Sequence, residues 1–438
     1  MAMAPENPGL AKSVLVTIVG SAFPPFAALI TAPLLAHGLG VEGRGQVAAA
    51  QAVALLTVSV TAFGIPDAIT YFIARGARRG LGTHKWIVIF TVLSGAMATL
   101  IIFAMSGWLG GDNRSTEHLI EFAGLSIVPA LLLGLVRGHA SGHELWMRIA
   151  AERIIGSGIR MVGAVILLMT NHLSPLSATV LMVFGPLLGA LPYAVGRGAG
   201  RELPHQTEAG IRDVASYSGR VWIGAVSGIL LMRMDQALLI PFAGAAELGL
   251  YAVAVSISEL PLVINSAIRD VTFARHAGEF SATKLAQTAR VSGMLSGAIA
   301  LMIAIVLPWG IPALFGTDFR GAVPVTWLLL FAVVVGTPGS IAGAGLSALG
   351  RPGLRSVSLT IAALVNIAML FAVAAQWGAL GAAFATLVGN LLSSNLNIHW
   401  FNAASGSSWR TFYAFRSEDL STTVGAARRL IRREVVSE

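Results

Sequence analysis

Gly219-Arg-Val-Trp-Ile-Gly-Ala-Val-Ser-Gly-Ile-Leu-Leu-Met-Arg-Met-Asp-Gln-Ala-Leu-Leu-Ile-Pro241 lies inside a longer run, Val214 to Tyr251, that is apolar apart from a few residues. About 20 apolar residues cross a bilayer as a helix, and this run does so while carrying Arg233 and Asp235. A charge at the bilayer centre costs roughly 2.5 to 3.5 kcal/mol on insertion scales, so intramembrane ions face a bundle interior or a wet cavity. Residues two apart on a helix point about 200° from one another, so Arg233 and Asp235 cannot neutralise each other and each needs its own partner. Gly224 and Gly228 fall on the Asp235 side, where small residues admit a second helix. Trp222, Val226, Ile229 and Gln236 fall with Arg233. The pattern predicts that Asp235 holds a neighbouring helix while Arg233 looks into a polar cavity. The competing reading has Arg233 snorkelling to lipid headgroups.

Working outward, the chain of 438 residues is 55% hydrophobic and 11% charged, against about 25% charged for a soluble domain. That composition is of an all-α polytopic membrane protein. The formal charge of +8 is no sign of nucleic-acid binding, because basic residues in such a chain sit where membrane orientation requires them. The absence of Cys excludes disulfides, thiolate catalysis and Cys-ligated metals.

Twelve transmembrane helices are predicted, at 13–36, 46–73, 86–108, 118–136, 149–170, 175–196, 214–240, 248–272, 291–309, 322–347, 355–375 and 379–401. If the N-terminus is inside, 24 of the 29 basic residues fall in inside segments, among them Arg75, Arg137, Arg197, Arg351 and the arginines of the tail. The outside loops hold Arg44, Arg114 and Arg320, and Arg160 and Arg233 are left in the membrane. The positive-inside rule therefore predicts both termini in the cytoplasm. The expected division is a leader at 1–12, a six-helix lobe at 13–200, a linker at 201–213, a second six-helix lobe at 214–401 and a cytoplasmic tail at 402–438.

The halves repeat. Gly40-Val-Glu-Gly-Arg-Gly45 before the second span matches Gly244-Ala-Ala-Glu-Leu-Gly249 before the eighth, and those spans end alike in Thr70-Tyr-Phe-Ile-Ala-Arg75 and Val271-Thr-Phe-Ala-Arg275. Six spans return the chain to its starting side, so the two lobes run in the same direction about a pseudo-two-fold axis along the membrane normal, as in two-lobed transporters.

The phrases Leu39-Gly-Val-Glu-Gly-Arg-Gly45, Gly64-Ile-Pro-Asp-Ala-Ile-Thr70, Leu231-Met-Arg-Met-Asp235, Glu247-Leu-Gly-Leu-Tyr251, Leu314-Phe-Gly-Thr-Asp-Phe319 and Trp377-Gly-Ala-Leu-Gly-Ala-Ala383, in this order and at these places, resemble the polysaccharide flippases of the multidrug/oligosaccharidyl-lipid/polysaccharide exporter superfamily. The resemblance implies a V-shaped pair of six-helix lobes that alternate access and move a polyprenyl-(pyro)phosphate-linked oligosaccharide across the bacterial plasma membrane. It also implies that the first, second, seventh and eighth spans line the cavity.

A lipid-linked phosphate is an anion crossing a low-dielectric slab, and guanidinium forks clasp phosphate in bidentate fashion. Arg233, Arg160 and Gln236 are the expected substrate-binding residues. For Arg160 the competing reading is a structural tie to Glu152 or another helix. Glu259 and Asp235 are the candidate ion-coupling carboxylates, since a desolvated acid exchanges its proton nearer neutrality; a salt bridge from Glu259 to Arg233 or Arg160 is the alternative. Asp67 is expected to cap the helix segment after Pro66. Asn265, Asn366, Asn390 and Asn395 are expected as interhelical hydrogen-bonding groups. Pro24 and Pro25 remove backbone donors midway along the first span and predict a bend there, a hinge or a static kink.

His139 and His143 are spaced as a metal pair but lack the helical zinc-protease arrangement, and no phosphate-binding Gly-x-x-x-x-Gly-Lys motif exists. No metal and no cofactor are expected. Arg428 to Arg433 reads as a basic surface segment drawn to anionic lipid, or as a solvated end. The outer loops are too short for a catalytic domain, which speaks against an enzyme such as a membrane-embedded glycan ligase or polymerase. A multidrug and toxin extrusion antiporter would want an acid in the first span, and Ser13 to Ala36 has none. The expected partners are the lipid-linked anionic glycan, the membrane, and a glycan polymerase or glycosyltransferases, with no nucleic acid.

Overall fold

The computed structural model describes residues 8–76, 85–194, 211–263, 265–266, 268 and 281–413. Among these residues every regular element is helical. Nine helical stretches are long and apolar enough to cross a membrane. Two of them, Gly20–Thr61 and Pro352–Ser405, are each two helices joined at a glycine of non-helical backbone, Gly40 and Gly378. A further helix of 24 residues, Trp146–Met169, crosses as well, and is less apolar because it carries Arg148, Glu152, Arg153 and Arg160. The result is the twelve-helix, two-lobe architecture.

The spans pair into six hairpins, and the six joins at one end share a device. Each contains a residue of positive φ: Gly40, Gly111, Asn171, Gly244, Gly316 and Gly378. Left-handed backbone costs glycine nothing and turns the chain within a residue or two. Gly40 at φ 68° and Gly244 at φ 88° occupy the same place in the sequence repeat. This is the turn end of the molecule; the opposite end carries most of the basic residues. The observed helices run past the expected spans, from 8 rather than 13 and to 405 rather than 401.

The lobes meet through small residues. The second span presents Ala48, Ala49, Ala50, Ala52 and Ala54, all buried, in a cluster that also holds Leu239, Leu248 and Tyr251 of the other lobe. At the turn end the repeat glycines make the closest approach. A Cβ on Gly45 would collide with the carbonyl of Ala245, and one on Gly249 with the carbonyl of Val41. In lipid, where apolar burial between helices gives little drive, such backbone proximity supplies the van der Waals contact. Farther from the turn end, the indole Nε1 of Trp222 donates to the Val60 carbonyl at 2.7 Å, and Tyr71 stacks on Tyr217 with centroids 4.3 Å apart. Large apolar side chains that would face lipid, such as Leu100, Leu301 and Trp309, are exposed.

Several local expectations need correction. Helical dihedrals continue through Pro24, Pro25 and Pro33, and the non-helical residue of this stretch is Gly40. The packing that accompanies the two prolines includes Gly20, which is in close contact with Ala150, and Ser21, whose hydroxyl accepts from Arg153 at 2.8 Å. Asp67 does not cap: the helix Ile65–Ala74 begins at Gly64, and Asp67 sits in its first turn, with no side-chain cap hydrogen bond. His139 belongs to the helix Ile127–Gly142 and His143 follows at its end, with their rings 4.5 Å apart. The repeat phrase 271–275, most of the linker and the 428–433 segment lie outside the described residues.

Candidate functional site

Two cavities share a wall. The first lies between the lobes, has a volume of about 270 Å3, and is lined from the first, second, fifth, sixth, seventh and eighth spans. Arg160, Arg233, Gln236 and Glu259 all line it. The second, of about 670 Å3, lies mainly in the second lobe and includes Asp235, Tyr251, Thr386 and Asn390, with Pro24 and Pro25 on its rim. Arg233 and Glu259 border both.

The seventh span divides its two charges as its helical geometry requires. Arg233 reaches the Glu259 carboxylate of the eighth span at 2.9 Å, with both side chains partly exposed. Asp235 is buried and saturated. It accepts from the Tyr251 hydroxyl, from the Thr386 hydroxyl at 2.9 Å and from the backbone N–H of Gln236 at 2.7 Å. Three donors on a buried carboxylate make up for the water it has lost. They also tie the seventh, eighth and twelfth spans together. On the same flank a Cβ on Gly224 would crowd Ser356 of the eleventh span, so the glycine admits that helix.

Arg160 is not tied to Glu152. That carboxylate is taken by Arg137, whose Nε donates at 3.1 Å, and by the Tyr193 hydroxyl at 2.6 Å. Arg160 donates instead to the Ser157 hydroxyl at 3.2 Å, and among the described residues it has no carboxylate partner. Of the asparagines, Asn265 accepts from Ser292 at 3.2 Å and Asn390 donates to the Ala332 carbonyl at 3.3 Å, both across helices. Asn395 donates within its own helix to the Leu391 carbonyl. Asn366 is buried, with neither side-chain amide atom bonded among the described residues.

The residue that sequence reasoning misplaced is Arg44. It was expected in an outside loop, but Gly40 alone makes the turn, the helix resumes at once, and Arg44 is carried one turn into the second span. There it is 7% exposed and lines the lobe-interface cavity. Gln51, two turns on, lines it as well. The repeat held a signal, since Arg44 occupies the place of Leu248, a fully buried apolar position in the second lobe.

The profile of the polysaccharide biosynthesis protein family matches residues 10–273, well over half of the chain. The chain belongs to that family. A probable low-salt glycan biosynthesis flippase of Haloferax volcanii, Agl15, is 21% identical over 407 residues, covering 90% of this chain and 84% of its own length. The fold is similar to that of a multidrug resistance MATE family transporter of the MOP superfamily solved in its inward-facing conformation, with a TM-score of 0.67, 15% identity, and coverage of 90% of this chain and 99% of that one. It is equally similar to that of the lipid II flippase MurJ solved in an inward closed conformation, with a TM-score of 0.67, 12% identity, and coverage of 96% and 98%.

Proposed function

We propose that this protein is a transporter that flips a polyprenyl-(pyro)phosphate-linked oligosaccharide across the bacterial plasma membrane by alternating access. The observation that carries the reading is the charge of the lobe-interface cavity: three arginines line it and a single carboxylate, that of Glu259. A membrane cavity so biased draws a phosphate-bearing headgroup and repels a cation. Arg233, Arg160 and Gln236 then hold the headgroup. Glu259, already on Arg233, and Asp235 are the carboxylates placed to couple an ion to the cycle, and Pro24 and Pro25, on the rim of the larger cavity, are the candidate hinge. The positive-inside pattern puts the turn end outside and both termini in the cytoplasm. The tight turns there leave no outer domain for catalysis, which supports a transporter and not an enzyme. Glycosyltransferases or a glycan polymerase would supply and consume the substrate.

The second reading, a multidrug antiporter, shares the fold. Proteoliposomes separate the two: the protein should move a fluorescent polyprenyl-pyrophosphate glycan between leaflets and leave a cationic dye gradient intact. Dye export without glycan flipping would overturn the proposal.

A further inference from the structure

Arg44 is held in a way that calls for an occupant. Its Nε and Nη1 are buried and unbonded among the described residues, and so is the Nε2 of Gln236. Both side chains line the lobe-interface cavity. A guanidinium does not deprotonate in proteins, so it cannot relieve its burial by becoming neutral. An uncompensated buried charge is strongly unfavourable, and an amide donor without an acceptor adds to the cost. The other two arginines of the cavity differ: Arg233 is neutralised by Glu259 at 2.9 Å, and Arg160 has the Ser157 hydroxyl. The repeat sharpens the contrast, because the matching position in the second lobe is Leu248, whose burial needs no partner.

We infer that Arg44 binds a phosphate group at the turn end of this cavity, sharing Gln236 with the Arg233 and Arg160 site of the proposed function. The site lies one residue from the contact of Gly45 with Ala245 that closes the lobes together at that end. Arg233 and Arg160 line the same cavity, so a headgroup held by them has Arg44 as a further cation next to the closed contact. Its source, lipid-linked or free phosphate, rests on the reading above; the donor set itself does not.

Binding of two probes decides it, on protein in nanodiscs: inorganic pyrophosphate, and a polyprenyl pyrophosphate incorporated in the disc. The wild type should bind at least one, seen as a rise in melting temperature that saturates. Arg44→Gln should weaken that binding about tenfold or more and Arg44→Lys less, because a point charge keeps the attraction and loses the fork. Gln236→Leu should weaken it a few fold, and Arg114→Gln, on an exposed arginine at the turn end, should not change it. Dependence on Arg44 for the lipid probe alone assigns the site to the lipid headgroup, and dependence for both admits free phosphate. Unchanged affinity of Arg44→Gln for both probes, or no binding of either probe by the wild type, overturns the site. Should Arg44→Gln fail to fold, Arg44→Lys carries the same decision. Glycan flipping that persists while binding ignores Arg44 would remove this inference and leave the proposed function standing.

Discussion

The two lobes place different chemistry at equivalent points of one repeat. Gly40 and Gly244 turn the chain alike, and Gly45 and Gly249 each meet the opposite lobe's backbone. Between them the first lobe has Arg44 and the second Leu248. The difference extends into the cavities. In the second lobe the buried or cavity-facing charges are satisfied within the lobe: Arg233 by Glu259, Asp235 by Tyr251 and Thr386, and Glu247 by the Ala379 amide at 2.8 Å. In the first lobe, Arg44 and Arg160 have no acidic partner among the described residues. Shared backbone features build the scaffold, and the residues that break the repeat are where a ligand is to be sought.

The most severe way to probe the comparison is to make the lobes alike. Leu248→Arg puts a guanidinium at a fully buried core position without a partner. It should destabilise by about 3 to 5 kcal/mol and largely abolish monodisperse protein. Size-exclusion recovery measures this, and normal recovery would mean that Leu248 and Arg44 do not differ in environment as described. Next in size, Asp235→Leu removes the acceptor shared by the Tyr251 and Thr386 hydroxyls and leaves them only each other at 3.1 Å, at a cost of about 1 to 3 kcal/mol. A melting temperature within about a degree of the wild type would remove Asp235 from its bracing role. Tyr251→Phe should cost less, about 1 kcal/mol, because one of the three donors to Asp235 is lost. Smallest in stability, and aimed at turnover, is replacement of both Pro24 and Pro25 by Ala. It should leave membrane insertion intact and slow transport, and an unchanged rate would reduce the pair to a static feature of a helix that is already continuous there.

The spans were legible because bilayer thickness imposes a length and a hydrophobicity that few other constraints imitate. That Asp235 would brace neighbouring helices while Arg233 turned to the cavity and took a partner of its own followed from the 100° step of the helix. Two kinds of detail were not legible. Helix ends are set by single left-handed residues, so a turn made by Gly40 alone moved Arg44 from a presumed loop into a buried wall. Partner choice among charges depends on which helices touch. Glu152, eight residues from Arg160 on the same helix, went to Arg137 and Tyr193. Adjacent prolines were expected to bend the first span; they sit in continuous helix, so whatever bend they make is made without a break in it.

The central claim, that the arginines of the lobe-interface cavity hold a moving anion, is tested most directly at Arg233. The measurement is the initial flipping rate of a fluorescent polyprenyl-pyrophosphate glycan in proteoliposomes, normalised to folded protein. Arg233→Ala should reduce the rate at least about a hundredfold, while Arg233→Lys keeps part of it, since the ammonium retains charge but not the bidentate fork. A well-folded Arg233→Ala protein that flips at the wild-type rate would contradict the account.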